Sequence, residues 1–274
     1  MISANGASME VLRMTLESLV AQLPGQYGIF ARNLNTGQTI AMGEHQVFPS
    51  ASLIKVPILA EVLRRVEEEG LSLDETLVMR AEDQVPGSGV LKDLTPGTRY
   101  TLRDLSMLMI TVSDNTATNL LIDYLTVDSV NALLRRLGLP QTSLERRLER
   151  VPAQVTRVNR TTAHEMARLM ELVATGQLIS QDVSRRMIDR LQRCQAPYAF
   201  APPIEDPRYI GQLPAIQVAH KTGSLAQARH DCGIVFHAKG VFVASILSQG
   251  APASQLQDRI HRIGQFIFRR LRAA

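Results

Sequence analysis

Three groups of residues in this 274-residue chain have the types and spacing that nucleophilic catalysis asks for. In Phe48-Pro-Ser-Ala-Ser52-Leu-Ile-Lys55 a serine precedes a lysine by three positions, an S-x-x-K pattern found once in the chain. If this segment opens a helix, residues three apart share a face, and the Lys55 amine can approach the Ser52 hydroxyl. A serine hydroxyl is a weak nucleophile near neutral pH. A lysine desolvated beside other cations loses its proton readily enough to act as the base the serine needs. A surface serine and lysine on one helix would give the same pattern, so its company matters. Ser113-Asp114-Asn115 follows the apolar stretch Leu105 to Val112, and His220-Lys221-Thr222-Gly223-Ser224 ends a strand-like run. Only four lysines (Lys55, Lys92, Lys221 and Lys239) stand against 26 arginines, and two of the four fall in these groups.

The elements that must position these residues can be read from periodicity. Residues 9–23 carry apolar positions at helical spacing and stop at Pro24-Gly25. Tyr27 to Leu34 and Gln38 to Met42 read as a hairpin around Asn35-Thr36-Gly37. From about Ser52 to Cys194 the signals are mostly helical. Thr-Leu-Arg-Asp at 101–104 and Thr-Ala-His-Glu at 162–165 fit capping boxes, and Gly138 and Gly176 sit where helices end. Gly87-Ser88-Gly89 reads as a turn lining this block. After the proline-rich residues 202–214, Cys232 to His237 and Val241 to Leu247 form a second expected hairpin through Ala238-Lys239-Gly240. Ser254 to Arg272 places Leu256, Ile260, Ile263, Ile267 and Leu271 on one face, as in a helix packing on a sheet. The expected fold class is α+β: an antiparallel sheet assembled from both termini, flanked by helices, with an all-helical domain inserted. Residues 1–50 and 205–274 are expected to form the sheet domain and 51–204 the helical one, with the chemistry at their interface.

S-x-x-K, then S-D-N, then K-T-G resembles the motif set of class A β-lactamases and penicillin-binding proteins. The surroundings FPSASLIKVPIL, MLMITVSDNTATNLLID and HKTGSLAQARHDCGIVF look like that family too, and the likeness runs nearly the length of the chain. It implies a β-lactamase/DD-peptidase-like fold and a serine hydrolase. In it Ser52 would attack the carbonyl, Lys55 help remove its proton, and Ser113 relay a proton to the departing nitrogen. Asn115 would touch Lys55 and the substrate amide, and Lys221 and Thr222 would hold a substrate carboxylate. The N–H groups of Ser52 and Ser224 would form the oxyanion hole, and Gly223 would let its strand come close to the ligand. Arg229, with His230 beside it, could reach the carboxylate from the next strand, although solvated turn residues are the plainer reading of both. Asp114 reads as a structural hydrogen-bonding residue, and His220 as a strand residue packed beneath the site.

One stretch departs from the class A pattern. There a glutamate within R-x-E-x-x-L-N activates the water that cleaves the acyl-enzyme. Here Arg147-Leu-Glu149 keeps the first part, but Pro152 and Ala153 replace the Leu-Asn, and Asn159 and Arg160 stand near where the family carries its loop-anchoring aspartate. Glu149 is the candidate deacylation base and Glu145 a second, while glutamates paired with arginine on a solvated face would explain both without catalysis. Three readings remain open: a β-lactam hydrolase, a DD-peptidase or esterase acting on another acyl substrate, and a slowly deacylating penicillin-binding or sensing protein.

The resemblance implies a small-molecule acyl substrate, a β-lactam or a related compound, and composition argues against other partners. The net charge of +4 is spread along the chain and aromatics make up only 4%, which argues against nucleic acid. Six histidines without H-x-x-E-H or H-x-H grouping imply no metal, and no other cofactor is called for. Cys194 and Cys232, 38 positions apart, are expected to be buried free thiols. No stretch is long and apolar enough to span a membrane, and a monomer is expected. The first residues lack a signal-peptide pattern, so the chain as written is expected in the cytoplasm, or in the periplasm or outside the cell if a leader has been removed.

Overall fold

The computed structural model describes residues 14–21, 23–148, 157–200 and 216–271. A short helix, α1 (residues 14–21), precedes β1 (Gln26–Asn33), β2 (Thr39–Met42) and β3 (Phe48–Pro49). The 3-10 turn Ala51–Ile54 then runs directly into α2 (Lys55–Glu69). Between α2 and the last strands come β4 (Thr76–Val78), β5 (Arg99–Thr101), α3 (Leu102–Thr111), α4 (Asn115–Leu125), α5 (Val127–Arg136), β6 (Arg160–Thr161), α6 (Ala163–Ala174) and α7 (Gln181–Gln192). β7 (Ile216–Leu225), β8 (Ala228–His237), β9 (Gly240–Gln249) and α8 (Ala253–Leu271) complete the described chain.

Five strands pair in the order β2-β1-β9-β8-β7, all antiparallel, so the first hairpin is stitched to the last three strands through β1 and β9. The two-residue period of the strands splits their side chains between two cores. Ile29, Ala31, Val235, Phe242, Ala244 and Ile246 face Leu16 of α1 and Leu256, Ile260, Ile263, Ile267 and Leu271 of α8, the stripe expected from sequence. Ala219, Cys232, Ile234, Val243 and Leu247 face the opposite way, onto the helical layer. There α2 is the central rod. Every residue from Lys55 to Leu63 is buried, including the charged Lys55 and Glu61, and the helix stops at Gly70, whose φ of +70° is the left-handed cap glycine adopts without strain.

Helix starts follow the sequence closely. Thr101, Asp114, Thr126, Thr162 and Ser180 each accept a hydrogen bond from the backbone N–H three residues on. The capping box expected at 162–165 forms only by half. The Glu165 carboxylate turns away to accept from the N–H groups of Gln141 and Thr142 and from the Thr142 hydroxyl. The helical block also holds the short pairing of β4 with β5, and its β6 pairs with β3, just ahead of the block. They are two or three residues long, too short for alternation to be read from sequence.

His230 corrects one expectation, since it is fully buried and not a solvated turn residue. Its Nε2–H donates to the Pro49 carbonyl (2.8 Å), and its Nδ1 accepts from the Ser248 N–H (3.1 Å). One imidazole thereby ties β8 to β9 and to the segment entering the 3-10 turn. Accepting from Ser248 while donating to Pro49 needs the neutral ring, and burial lowers its pKa to about 4. A folded pKa below the unfolded value contributes stability that is present above about pH 6.5 and is lost as pH falls through about 4. We predict that His230→Phe, which strands both partners, costs about 2–5 kcal/mol in urea unfolding at pH 7. The variant should also show a shallower loss of stability between pH 6.5 and 4 than the parent. Equal slopes would place the acid sensitivity elsewhere.

Candidate active site

The three groups of residues singled out in the sequence come together where β7, one of the two edge strands of the sheet, packs against the 3-10 turn. Ser52 lies in that turn and lines a pocket with Gly87, Ser88, Asn115, Leu148 and Ser224. The residue before it, Ala51, holds a φ of +47°, a conformation that costs on the order of 1 kcal/mol or more in an alanine. Gly223 explains part of the closeness. A Cβ there would lie 3.1 Å from Ala51 Cβ and 3.2 Å from the Ser50 carbonyl oxygen. The missing side chain thus lets the strand approach the turn that carries Ser52, in addition to whatever ligand enters. The hairpin β7–β8 closes through Ala226-Gln227, with Leu225 opposite Ala228. Alternation from that closing pair turns the Ser224 N–H away from β8 and toward the pocket, where a developing oxyanion could be met.

Two buried amines flank one hydroxyl. Lys55 Nζ lies 3.0 Å from Ser113 Oγ, 2.6 Å from the Ser113 carbonyl oxygen and 2.8 Å from Asn115 Oδ1. Lys221 Nζ lies 3.1 Å from the same Ser113 Oγ and 2.9 Å from the Thr222 carbonyl oxygen. The Asn115 amide is oriented by its Nδ2 donating to the Pro86 carbonyl, which leaves Oδ1 as the acceptor. Both lysines are fully buried. Burial, and then the nearby charge of Lys221, hold the Lys55 pKa well below the usual lysine value despite the opposing Asp114. Burial lowers Lys221 as well. A neutral Lys55 has two N–H groups for its two carbonyl acceptors and one lone pair for the Ser113 hydroxyl. The arrangement can therefore pass a proton between Lys55 and Ser113, with the Lys221 amine on the other side of the same hydroxyl. The Lys55 amine, expected from helical spacing to approach Ser52, makes its hydrogen bonds to Ser113 and Asn115 instead.

The S-D-N segment is held in a conformation that needs support, because Ser113 has a φ of +56°. Asp114, buried at the start of α4, caps that helix through Ala117 N–H and also accepts from the N–H groups of Val90 and Leu91. This is the structural role expected of it. Gly87-Ser88-Gly89 is more than a turn: the Asn115 N–H donates to Ser88, and a Cβ on Gly89 would fall 2.3 Å from the Asp114 carboxyl.

Of the remaining candidates, Arg229 stands directly opposite Ser224 across the β7–β8 pairing and is partly buried. Glu149, Pro152 and Ala153 lie outside the described residues. Glu145 points to Arg160 at 3.7 Å and does not line the pocket. Two asparagines grip the chain just before Glu149. Asn119 both accepts from Leu148 N–H (2.7 Å) and donates to the Leu148 carbonyl (2.9 Å). Asn159 accepts from the N–H groups of Glu145 and Arg146 and donates to the Arg146 carbonyl. Asn159 thus occupies the anchoring place that sequence assigned to this stretch. Asn119 was not singled out, although it lies four residues after Asn115 and so on the same face of α4. Arg147 pairs with Asp123 at 3.1 Å.

A family model described as the beta-lactamase enzyme family matches residues 11–271. The chain belongs to the beta-lactamase family. A beta-lactamase of Rhodobacter capsulatus is 32% identical over 139 residues, 50% of this chain and 47% of that protein. The solved beta-lactamase of Sphaerobacter thermophilus is 29% identical with a TM-score of 0.86, covering 96% of this chain and 97% of that one. A leucine-to-glutamate variant of PBP-A, solved as its acyl-enzyme complex with penicillin G, is 28% identical with a TM-score of 0.85, covering 97% of both chains. These matches give the family fold across both layers, in agreement with the α+β architecture read from the sequence. Among the described residues no helix is long and apolar enough to cross a membrane. Among them, too, no three His, Cys, Asp or Glu side chains are grouped to hold a metal ion.

The support under Asp114 predicts a stability effect. Gly89→Ala must displace the Asp114 carboxyl and adopt a φ of +107°, and should cost about 2–5 kcal/mol in urea unfolding. A loss under ~0.5 kcal/mol, the size of an ordinary surface change, would mean the loop relaxes freely.

Proposed function

We propose that this protein is a serine hydrolase that β-lactams acylate at Ser52 and that it hydrolyses the β-lactam amide. The observation that carries the reading is the Ser113 hydroxyl held between the amines of Lys55 and Lys221, two residues before Asn115, which lines a pocket together with Ser52 and Ser224. In this reading neutral Lys55, directly or through Ser113, takes the Ser52 proton as Oγ attacks the lactam carbonyl. The oxyanion gathers on the N–H groups of Ser52 and Ser224, where each donor is worth roughly 3–4 kcal/mol in the transition state. Ser113 then delivers the proton to the departing nitrogen. Lys221 and Thr222, with Arg229 in reach across the strand pair, receive the substrate carboxylate.

A second reading shares the acylation and differs in release. The residue gripped by Asn119 is Leu148, an apolar side chain on the pocket wall, and the candidate base Glu149 follows it. Among the described residues no carboxylate lines the wall beside Ser52, and such a wall favours a long-lived acyl-enzyme, and with it a peptidase or esterase whose own substrate is not a β-lactam.

Intact mass followed over time after mixing with penicillin G, with product assayed in the same tube, separates the two. The first reading predicts return to the unlabelled mass with many turnovers, and Glu149→Gln should then trap the adduct. A persistent single adduct supports the second, and Leu148→Glu should then speed release by roughly 10²-fold or more, the scale of a positioned general base. In either case Ser52→Ala removes all labelling, and labelling of that variant would exclude Ser52 as the nucleophile.

A further inference from the structure

The two N–H groups assigned to the oxyanion, those of Ser52 and Ser224, ride on different elements, the 3-10 turn and β7. Their separation depends on what holds the turn to the sheet. Gly223 marks the close approach, where a Cβ would lie 3.1 Å from Ala51 Cβ and 3.2 Å from the Ser50 carbonyl oxygen. The same Cβ would lie 3.2 Å from His230 Cδ2, so the imidazole, the turn and the edge strand meet at one place. His230 stands directly opposite Gly223 in the β7–β8 pairing. On β8 it alternates onto the same face as Cys232 and Ile234, the face packed on the helical layer. Cys232 is the buried free thiol expected from sequence, whereas Cys194, also free, is only half-buried.

A hydrogen bond from β8 reaches the turn at this place. His230 Nε2–H donates to the carbonyl of Pro49, three residues before Ser52, at 2.8 Å. On the other side of the ring Nδ1 accepts from the Ser248 N–H at 3.1 Å, which keeps the imidazole from turning. The Phe48 ring stands edge-on to it with centroids 6.3 Å apart. The same segment is drawn the other way by the Ser50 N–H, which donates to the Asn159 carbonyl at 2.7 Å, and by the pairing of β3 with β6. Without the imidazole the Pro49 carbonyl loses its tie to β8, and the pull toward Asn159 and β6 remains.

Given the serine-hydrolase reading above, on which this rests, we propose that His230 is a positioning residue for the acylation of Ser52. By holding the Pro49 carbonyl to β8 it seats the 3-10 turn against β7 and so sets the distance between the two oxyanion donors. His230 is fully buried and does not line the pocket, so it meets neither the substrate nor the reacting atoms. Its effect runs through the turn. Donors serve a developing oxyanion when their nitrogens lie about 2.7–3.1 Å from it, and a misplacement of about 1 Å costs on the order of 10²-fold in rate. The substrate carboxylate is received on β7, by Lys221 and Thr222, which the turn does not carry. Loss of the His230 contact therefore slows the chemical step and leaves first binding little changed.

The test is a rapid-quench time course of intact mass over a range of penicillin G concentrations. It compares the parent, His230→Phe and His230→Gln, each at a temperature where circular dichroism shows it folded. Phenylalanine keeps the bulk of the ring and removes both polar contacts. Glutamine carries an amide N–H about as far from the backbone as Nε2 and can donate to Pro49 again. In His230→Phe the limiting acylation rate should fall by about 10²-fold while the half-saturating concentration moves by less than about three-fold. His230→Gln should recover at least about ten-fold of that loss. A folded His230→Phe that acylates at the parent's rate overturns the proposal. So does a loss confined to the half-saturating concentration, or a glutamine variant as slow as the phenylalanine one. If His230→Phe does not fold, His230→Gln decides against the parent: a limiting rate within about ten-fold is expected, and a folded variant slower by about 10²-fold overturns the proposal. A parent that penicillin G does not acylate sinks the serine-hydrolase reading and this inference with it, whereas an acylated parent with unaffected variants sinks this inference alone.

Discussion

Two lysine side chains buried side by side are the constraint around which the rest of this structure is arranged. Moving an ammonium out of water costs several kcal/mol, and two like charges near each other add to it. The molecule meets that cost in two ways. Lys55 has two carbonyl acceptors and the Ser113 hydroxyl around its amine, and Lys221 has the same hydroxyl and the Thr222 carbonyl. Burial makes Lys55 the easier of the two to discharge by holding its pKa well below the usual lysine value. The acceptors are exacting. Two of them are backbone carbonyls, at Ser113 and Thr222, so the local chain must be held still for the amines to be satisfied. The left-handed turn at Ser113, the Asp114 cap and the glycines packed on it follow from that demand.

The sheet supplies the second half of the arrangement by leaving one edge open. β7 is bonded to β8 on one side only, and its other side faces the turn that carries Ser52. An exposed edge is normally a hazard for association. Here it is covered by the helical layer over part of its length and lines a pocket over the rest, so the unpaired N–H of Ser224 is available to a ligand and not to another sheet. The hydroxyl, amines and edge strand come from opposite ends of the chain, which is why the fold needs its first hairpin stitched to its last three strands.

The sequence made much of this readable because its signals were redundant. Lysine is so scarce that two of four in short motifs stood out, and the α8 stripe and the N-caps at Thr101 and Thr162 follow local rules that depend on few neighbours. What escaped reading depended on distant partners. His230 looked like a turn residue because nothing nearby in sequence announces that Pro49 and Ser248 converge on it. Glu165 sat in a capping-box pattern, yet its carboxylate was claimed by a loop more than twenty residues away. Asn119 carried no pattern of its own, since its meaning lies in Leu148 across the pocket. Lys55 was expected at Ser52 from helical spacing, and the structure shows its amine drawn instead to Ser113 and Asn115, groups brought in by another helix.

The clasp at the foot of the loop is made of neutral amides. Where the family pattern places an aspartate, Asn159 bonds three backbone groups of residues 145–146, and Asn119 bonds two of Leu148. Dissolved ions screen attractions between exposed charges, and acid removes carboxylates, but neither reaches an amide that meets backbone. The Arg147–Asp123 pair nearby is partly exposed and open to both. The seating of Leu148 against the pocket is therefore set by dipoles and shape, so brine and mild acidity leave the chain just before Glu149 where it is.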